Sequence, residues 1–243
     1  MAHPPDVLER IARAARLREG PAGVAAFLRA LYRDSPLPTG ELARRLGWPT
    51  PVAAAVRGEL QRAGLVQRTP GGSALSAAGR SFAHEALKAA ALPDPLCPTC
   101  AGRRIVVEDA PWQEVLARLA EIHRHNPRVD TTLDQSHGTP ETALRRALYM
   151  YREGALEGKD VLILGDDDLV SVAIGLLSPL VQGETAFPAR LVVVDVDERF
   201  LAHIAAAGRE HGFALETIAH DLRDPLPERL RGSFDTIETD PPY

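Results

Sequence analysis

Four segments of the chain end in acid where a strand should give out. GDDD at 165–168 follows the apolar run VLIL, VDVD at 194–197 follows ARLVV, HD at 220–221 follows FALETIA, and TD at 239–240 follows SFDTIE. A carboxylate can accept hydrogen bonds from neighbouring hydroxyls or from an amino group, hold an ammonium ion, or take a proton. One aspartate after a strand is usually the cap of the next helix. Acids at four strand ends, expected along one edge of one sheet, make capping a weak explanation for the whole set.

The elements that must position them follow from the pattern after Asp160. Apolar runs VLIL, ARLVVV and FALETIA alternate with the helical segments DLVSVAIGLL and ERFLAHIAAAGREHG, and SFDTIETDPPY closes the series. Continuous apolar strands separated by helices predict a doubly wound α/β fold, a parallel sheet covered on both faces. Ligands of such a sheet gather at the carboxyl ends of its strands. Asp195 then stands where an acid can accept from both ribose hydroxyls of an adenosyl group, and Asp221 where it can accept from the adenine amine. DPPY at 240–243 resembles the motif of amino-group methyltransferases, in which the acid holds the target amine, so Asp240 is assigned to an acceptor amine.

The three consecutive aspartates bear on the cofactor. S-adenosylmethionine presents a carboxylate, and two like charges about 4 Å apart at an effective dielectric near 20 cost about 4 kcal/mol. Asp166, Asp167 and Asp168, beside the single Gly165, therefore disfavour that carboxylate and favour a tail that is wholly cationic. Decarboxylated S-adenosylmethionine, the aminopropyl donor, fits this charge, and so does a polyamine acceptor.

At these residues the chain resembles the branched-chain polyamine synthase family, the N(4)-bis(aminopropyl)spermidine synthases. The matching pieces are GDDDLVSVA, LDQSHGTPETALRRALYM upstream, VDVDERF, HDLRDPLP and FDTIETDPP. The resemblance implies a Rossmann-like, class I methyltransferase-like catalytic domain behind a winged-helix-like domain, usually as a homodimer. It implies transfer of aminopropyl groups from decarboxylated S-adenosylmethionine, as co-substrate and with no permanently bound cofactor, to the secondary amine of spermidine. Asp167 becomes the catalytic acid, with Asp166 and Asp168 as supporting charge; Gln135, Asp134 and Glu141 become contacts of the donor tail or the polyamine. The family continues past the DPP strand, so a further C-terminal region is expected.

The front of the chain reads differently. Residues 22–33 have helical spacing, Thr39 can cap a short helix ending near Gly47, and VAAAVRGELQRAG forms another helix ending at Gly64. LVQR, a turn at Pro70 to Gly72, and a helix capped by Ser76 complete the outline of a winged helix-turn-helix. We place the domain boundary at the Pro-rich stretch ALPDPL, giving domains 1–92 and 93–243. Arg57 and Arg62 could reach DNA, but the Ala-rich second helix is short of base-reading Asn, Gln or Lys, so a scaffold or dimer role is expected and nucleic acid is not. Residues 1–92 hold 13 Lys and Arg against 7 acids; the remainder holds 15 against 26. An acidic domain repels polyphosphate and attracts cations.

Between the domains, Arg104 to Glu108 predicts a strand and Pro111 to His125 a helix. Cys97 and Cys100 supply two ligands where a zinc site needs four; a Pro-containing turn, a shared metal and a redox pair all stay open, and no metal site is expected. At 45% hydrophobic and 25% charged residues, with no apolar run near about 18 residues and no signal-peptide pattern, the reading is cytoplasmic. A nucleic-acid amino-group methyltransferase and a regulator with a degenerate enzyme domain are the competing functions.

Overall fold

The computed structural model describes residues 4–90, 92, 105–108, 110–133, 135–181 and 186–240. Cys97, Cys100, Asp134 and the last three residues of DPPY lie outside the described residues. The described residues up to Leu92 form one compact unit and those from Ile105 onward form another.

In the first unit, helices α1 (Pro4–Ala14), α2 (Gly20–Asp34), α3 (Thr39–Leu46) and α4 (Thr50–Arg62) precede the antiparallel hairpin β1 (Val66–Thr69) and β2 (Gly72–Leu75), and α5 (Ala77–Leu87) follows. Phe27, Leu28, Leu31, Leu42, Val56 and Leu60 are wholly buried in their shared core. α1 has no counterpart in the sequence reading. Ser76 caps α5 as expected, accepting from the Gly79 N–H at 3.0 Å. Thr39 does not cap α3: Pro38 holds that position, and the Thr39 hydroxyl instead accepts from Arg57 at 2.5 Å. Arg62 pairs with Glu59 at 2.7 Å, so both arginines considered for DNA are engaged within the unit.

The second unit begins with α6 (Trp112–His123) and α7 (Pro140–Arg152). It continues as β3 (Asp160–Leu164), α8 (Val170–Leu177), β4 (Arg190–Asp195), α9 (Glu198–His211), β5 (Glu216–Ala219) and β6 (Thr236–Thr239). The segment at 105–108 is not a strand beyond a single bridging residue, Ile105. Side chains satisfy its backbone instead: Arg145 donates to the Ile105 carbonyl, Gln113 to the Val107 carbonyl, and Glu108 accepts from the Val107 N–H. With those groups taken, a neighbouring strand has little to pair with.

All four strands of the sheet are parallel, in the order β5-β4-β3-β6. The two central strands are buried on both faces, which is why they read as unbroken apolar runs. α8, buried along its whole length, packs against α7 and α9. Leu162, Val192 and Val194 form a second cluster with Leu230, flanked by Leu164, Ile218, Leu226 and Phe234. That side is covered by the irregular connection between β5 and β6, where the sequence reading of a doubly wound sheet expects regular cover. The chain winds from β3 through β4 to β5, then crosses back to place β6 on the other side of β3. A crevice belongs at that reversal, outside the carboxyl ends of β3 and β6. No helix among the described residues is long and apolar enough to cross a membrane.

Candidate active site

Parallel pairing brings the four acidic strand ends to one edge, and each acid there has a distinct set of partners. At the end of β3, Gly165 turns the chain with φ +74° and donates its N–H to the Val194 carbonyl at 2.9 Å. A left-handed residue there suits glycine. The Asp166 carboxylate then folds back onto the start of α8, accepting from the N–H groups of Val170 at 2.7 Å and Ser171 at 3.1 Å. It satisfies donors that a helix N-terminus leaves open. Burial pushes this carboxyl well above the usual range.

Asp195, at the end of β4, accepts from the Asp166 N–H at 3.1 Å through one oxygen and from the Asp197 N–H at 2.8 Å through the other. These bonds latch the ends of β3 and β4 together and still leave lone pairs, since a carboxylate has about four acceptor positions. Asp197 caps α9 by accepting from the Arg199 N–H at 3.0 Å. The Arg199 guanidinium grips the same carboxylate and holds it well below the ordinary range.

Residues 130–133 and 135–139 run as a strap along this edge. Gln135 donates to Asp197 at 3.0 Å and accepts from the Asp130 N–H at 2.8 Å. The Ser136 N–H donates to Asp167 at 3.0 Å, and the Gly138 N–H donates to Asp168. A Cβ on Gly138 would lie 2.7 Å from an Asp168 oxygen, so the approach requires glycine. Thr139 caps α7 as expected, accepting from the Thr142 N–H at 3.1 Å.

Toward β6, Arg146 of α7 carries three carboxylates. One of its terminal nitrogens donates to Asp168 at 2.8 Å and Asp240 at 3.0 Å; the other donates to Glu238. Burial raises the Glu238 carboxyl, against the pull of Arg146. Asp167 differs from Asp168 in having no arginine or lysine paired with it among the described residues, and from Asp166 in not capping a helix; burial raises its carboxyl, with Asp168 adding in the same direction.

The structure thus gathers Gly165, Asp166, Asp167, Asp168, Asp195, Gln135 and Asp240 along one edge. Asp221 follows β5, half-buried and chelated by Arg223, which lowers it to about 2. Glu141 pairs with Arg145 at 2.6 Å in the first turn of α7. Arg146, Glu238, Ser136, Gly138 and the clasp on Asp197 escape the sequence reading. Arg146 carried one signal, an arginine on the stripe of buried Ala143, Ala147 and Met150. Glu238 carried another, the alternation that sets Thr236, Glu238 and Asp240 on one face of β6.

The class these features define is an α/β protein with a parallel sheet whose edge at the topological switch, where ligands of such sheets gather, is lined with carboxylates. The family model for the branched-chain polyamine synthase A C-terminal domain matches residues 114–243, and the chain belongs to the branched-chain polyamine synthase family. It is 39% identical over 237 residues to an uncharacterized protein of Methanocaldococcus jannaschii, covering 98% of this chain and 58% of that one. It is 40% identical over 145 residues to the N(4)-bis(aminopropyl)spermidine synthase of Thermus thermophilus, 60% of this chain and 40% of that. The crystal structure of the branched-chain polyamine synthase from Thermus thermophilus, in complex with N4-aminopropylspermidine and 5'-methylthioadenosine, superposes with a TM-score of 0.51 at 32% identity, over 98% of this chain and 63% of that chain. The chain spans about half the length of the curated relatives it matches.

Proposed function

We propose that the chain carries the donor site and catalytic acid of an aminopropyltransferase, which moves aminopropyl groups from decarboxylated S-adenosylmethionine to the secondary amine of spermidine. The observation that carries this reading is the division among the three consecutive aspartates. Asp166 is spent on the α8 N-terminus and Asp168 on Arg146, while Asp167 stands beside them with no arginine or lysine on it among the described residues. The relative from Thermus thermophilus, crystallised with an aminopropylated spermidine and methylthioadenosine, supports the same pair of ligands.

The chemistry follows from that arrangement. The acceptor nitrogen loses its proton to the Asp167 carboxylate, and its lone pair attacks the propyl carbon bonded to sulfur. An N–C bond forms, the C–S bond breaks, and its electron pair returns to sulfur as the thioether of methylthioadenosine. Asp195 offers its remaining lone pairs to the ribose hydroxyls and Asp221 accepts from the adenine amine. Val196 and Leu222, each next to one of these acids and exposed by 46% and 45%, offer apolar surface to the base. Gln135 serves the donor ammonium, Asp166 and Asp168 stay on their own partners as supporting charge, and Asp240 serves the acceptor. Glu141, paired with Arg145, belongs with its helix rather than with either substrate.

The N-terminal unit, with α3 and α4 followed by a hairpin, supports a winged helix-turn-helix used as a scaffold or in a homodimer, in a cytoplasmic enzyme. One assay tests the whole reading. The full-length protein, given decarboxylated S-adenosylmethionine and spermidine, is expected to release methylthioadenosine together with a branched tetraamine or pentaamine. Methyl transfer to DNA from S-adenosylmethionine without any aminopropylated product would sink it.

A further inference from the structure

An arginine among the acids of a polyamine site is a paradox, because a fixed cation repels the ammonium groups the acids are there to attract. Arg146 is three-quarters buried, with side-chain exposure of 25%, and the carboxylates it holds come from two strand ends: Asp168 from the turn after β3, Glu238 from β6 and Asp240 from just after it. Asp168 and Glu238 are each only 12% exposed. Two terminal nitrogens of one planar guanidinium serve these carboxylates, one donating to Asp168 and Asp240 and the other to Glu238, a fixed spacing that a single ammonium nitrogen does not reproduce.

Resting on the aminopropyltransferase reading, we propose that Arg146 is a positioning residue: it occupies Asp168, Glu238 and Asp240 so that the acceptor nitrogen is drawn to Asp167 rather than to them. Spermidine enters with its amines protonated, as unperturbed alkylamines are near neutral pH. Without Arg146, an ammonium has a stronger site at the mouth of β6 than at Asp167. It would bind there well and react poorly, since the nitrogen then sits on carboxylates that keep its proton and away from the acid assigned to remove it. Arg146 thus weakens ground-state binding of the acceptor and raises the share of encounters that are productive. Asp240 keeps its place beside the acceptor in this scheme, because at 63% exposure it can turn an oxygen outward while still touching Arg146.

This predicts an unusual kinetic signature. In the full-length protein, Arg146→Gln should lower kcat and the KM for spermidine together, each by about tenfold, as expected when non-productive binding competes with productive binding. Spermidine binding measured by calorimetry without donor should tighten by a similar factor. Arg146→Lys, which retains the charge but not the fork, should fall between Gln and wild type. Combining Arg146→Gln with Glu238→Gln should return the KM toward wild type, because a competing carboxylate has gone; this double variant also avoids leaving Glu238 buried without its cation. A raised KM or unchanged spermidine binding in Arg146→Gln overturns the inference. A wild-type protein that forms no methylthioadenosine overturns the aminopropyl reading instead, and the binding comparison still decides the role of Arg146.

Discussion

At the scale of single residues, the three adjacent aspartates show how position in a turn assigns chemistry that composition leaves open. Asp166 faces two backbone donors, Asp168 faces a guanidinium, and Asp167 faces the Ser136 N–H. Burial holds the Asp167 carboxyl above its ordinary value of 3.8, which makes it a better proton acceptor than an exposed aspartate. The sign for pH follows directly. As the proposed base, Asp167 works only when ionised, so activity is expected above the raised value and is lost as pH falls through it. The acidic limb of kcat/KM should therefore lie above the ordinary aspartate range. Asp167→Asn should abolish that limb and lower kcat by about 100-fold or more. A pH series on the two proteins checks this, and an unchanged limb in the variant would remove Asp167 from the reaction.

At the scale of elements, the strap at 130–139 is what turns a row of acids into a site. Its described residues supply N–H groups to Asp167 and Asp168 and a side-chain amide to Asp197. Gly138→Ala would place a methyl 2.7 Å from the Asp168 oxygen, and Asp168 is already fixed by Arg146. Either the strap lifts or the carboxylate leaves the guanidinium, at a cost of about 1–3 kcal/mol. Thermal melting should drop by several degrees, and kcat/KM should fall with it; a variant that melts and turns over like wild type would show that the strap is not held at this contact. The alternating strands and helices after Asp160 were legible in the sequence because burial on both faces demands continuous apolar runs, and the caps at Ser76 and Thr139 because hydroxyls there meet open N–H groups. The Arg104 to Glu108 strand misled because its residues favour β structure while long side chains from α6 and α7 take its hydrogen bonds. The clasp of Arg146 on three acids was hidden for a related reason: its partners lie 22 to 94 residues away, and only the sheet order brings them together.

At the scale of the whole molecule, charge is partitioned between the two parts of the sequence, and the acidic part holds the site. Residues 93–243 carry 26 acids against 15 Lys and Arg, so their field draws a polycation toward the edge before any contact forms. Specific pairs then hold it, and the two effects respond differently to salt. Long-range attraction between exposed charges is screened over about 8 Å at physiological ionic strength and about 3 Å at 1 M. A neutral ligand of the same site is not drawn by it at all. Methylthioadenosine is neutral, and its proposed contacts are hydrogen bonds to Asp195 and Asp221 and packing on Val196 and Leu222. Raising salt from about 0.05 M to about 0.5 M should therefore raise the KM for spermidine by several-fold, while the inhibition constant of methylthioadenosine stays nearly constant. Parallel titrations of both at fixed pH make the measurement. If the two constants move together, the acids act on the nucleoside as much as on the amine, and the separation of donor and acceptor roles along the sheet edge is wrong.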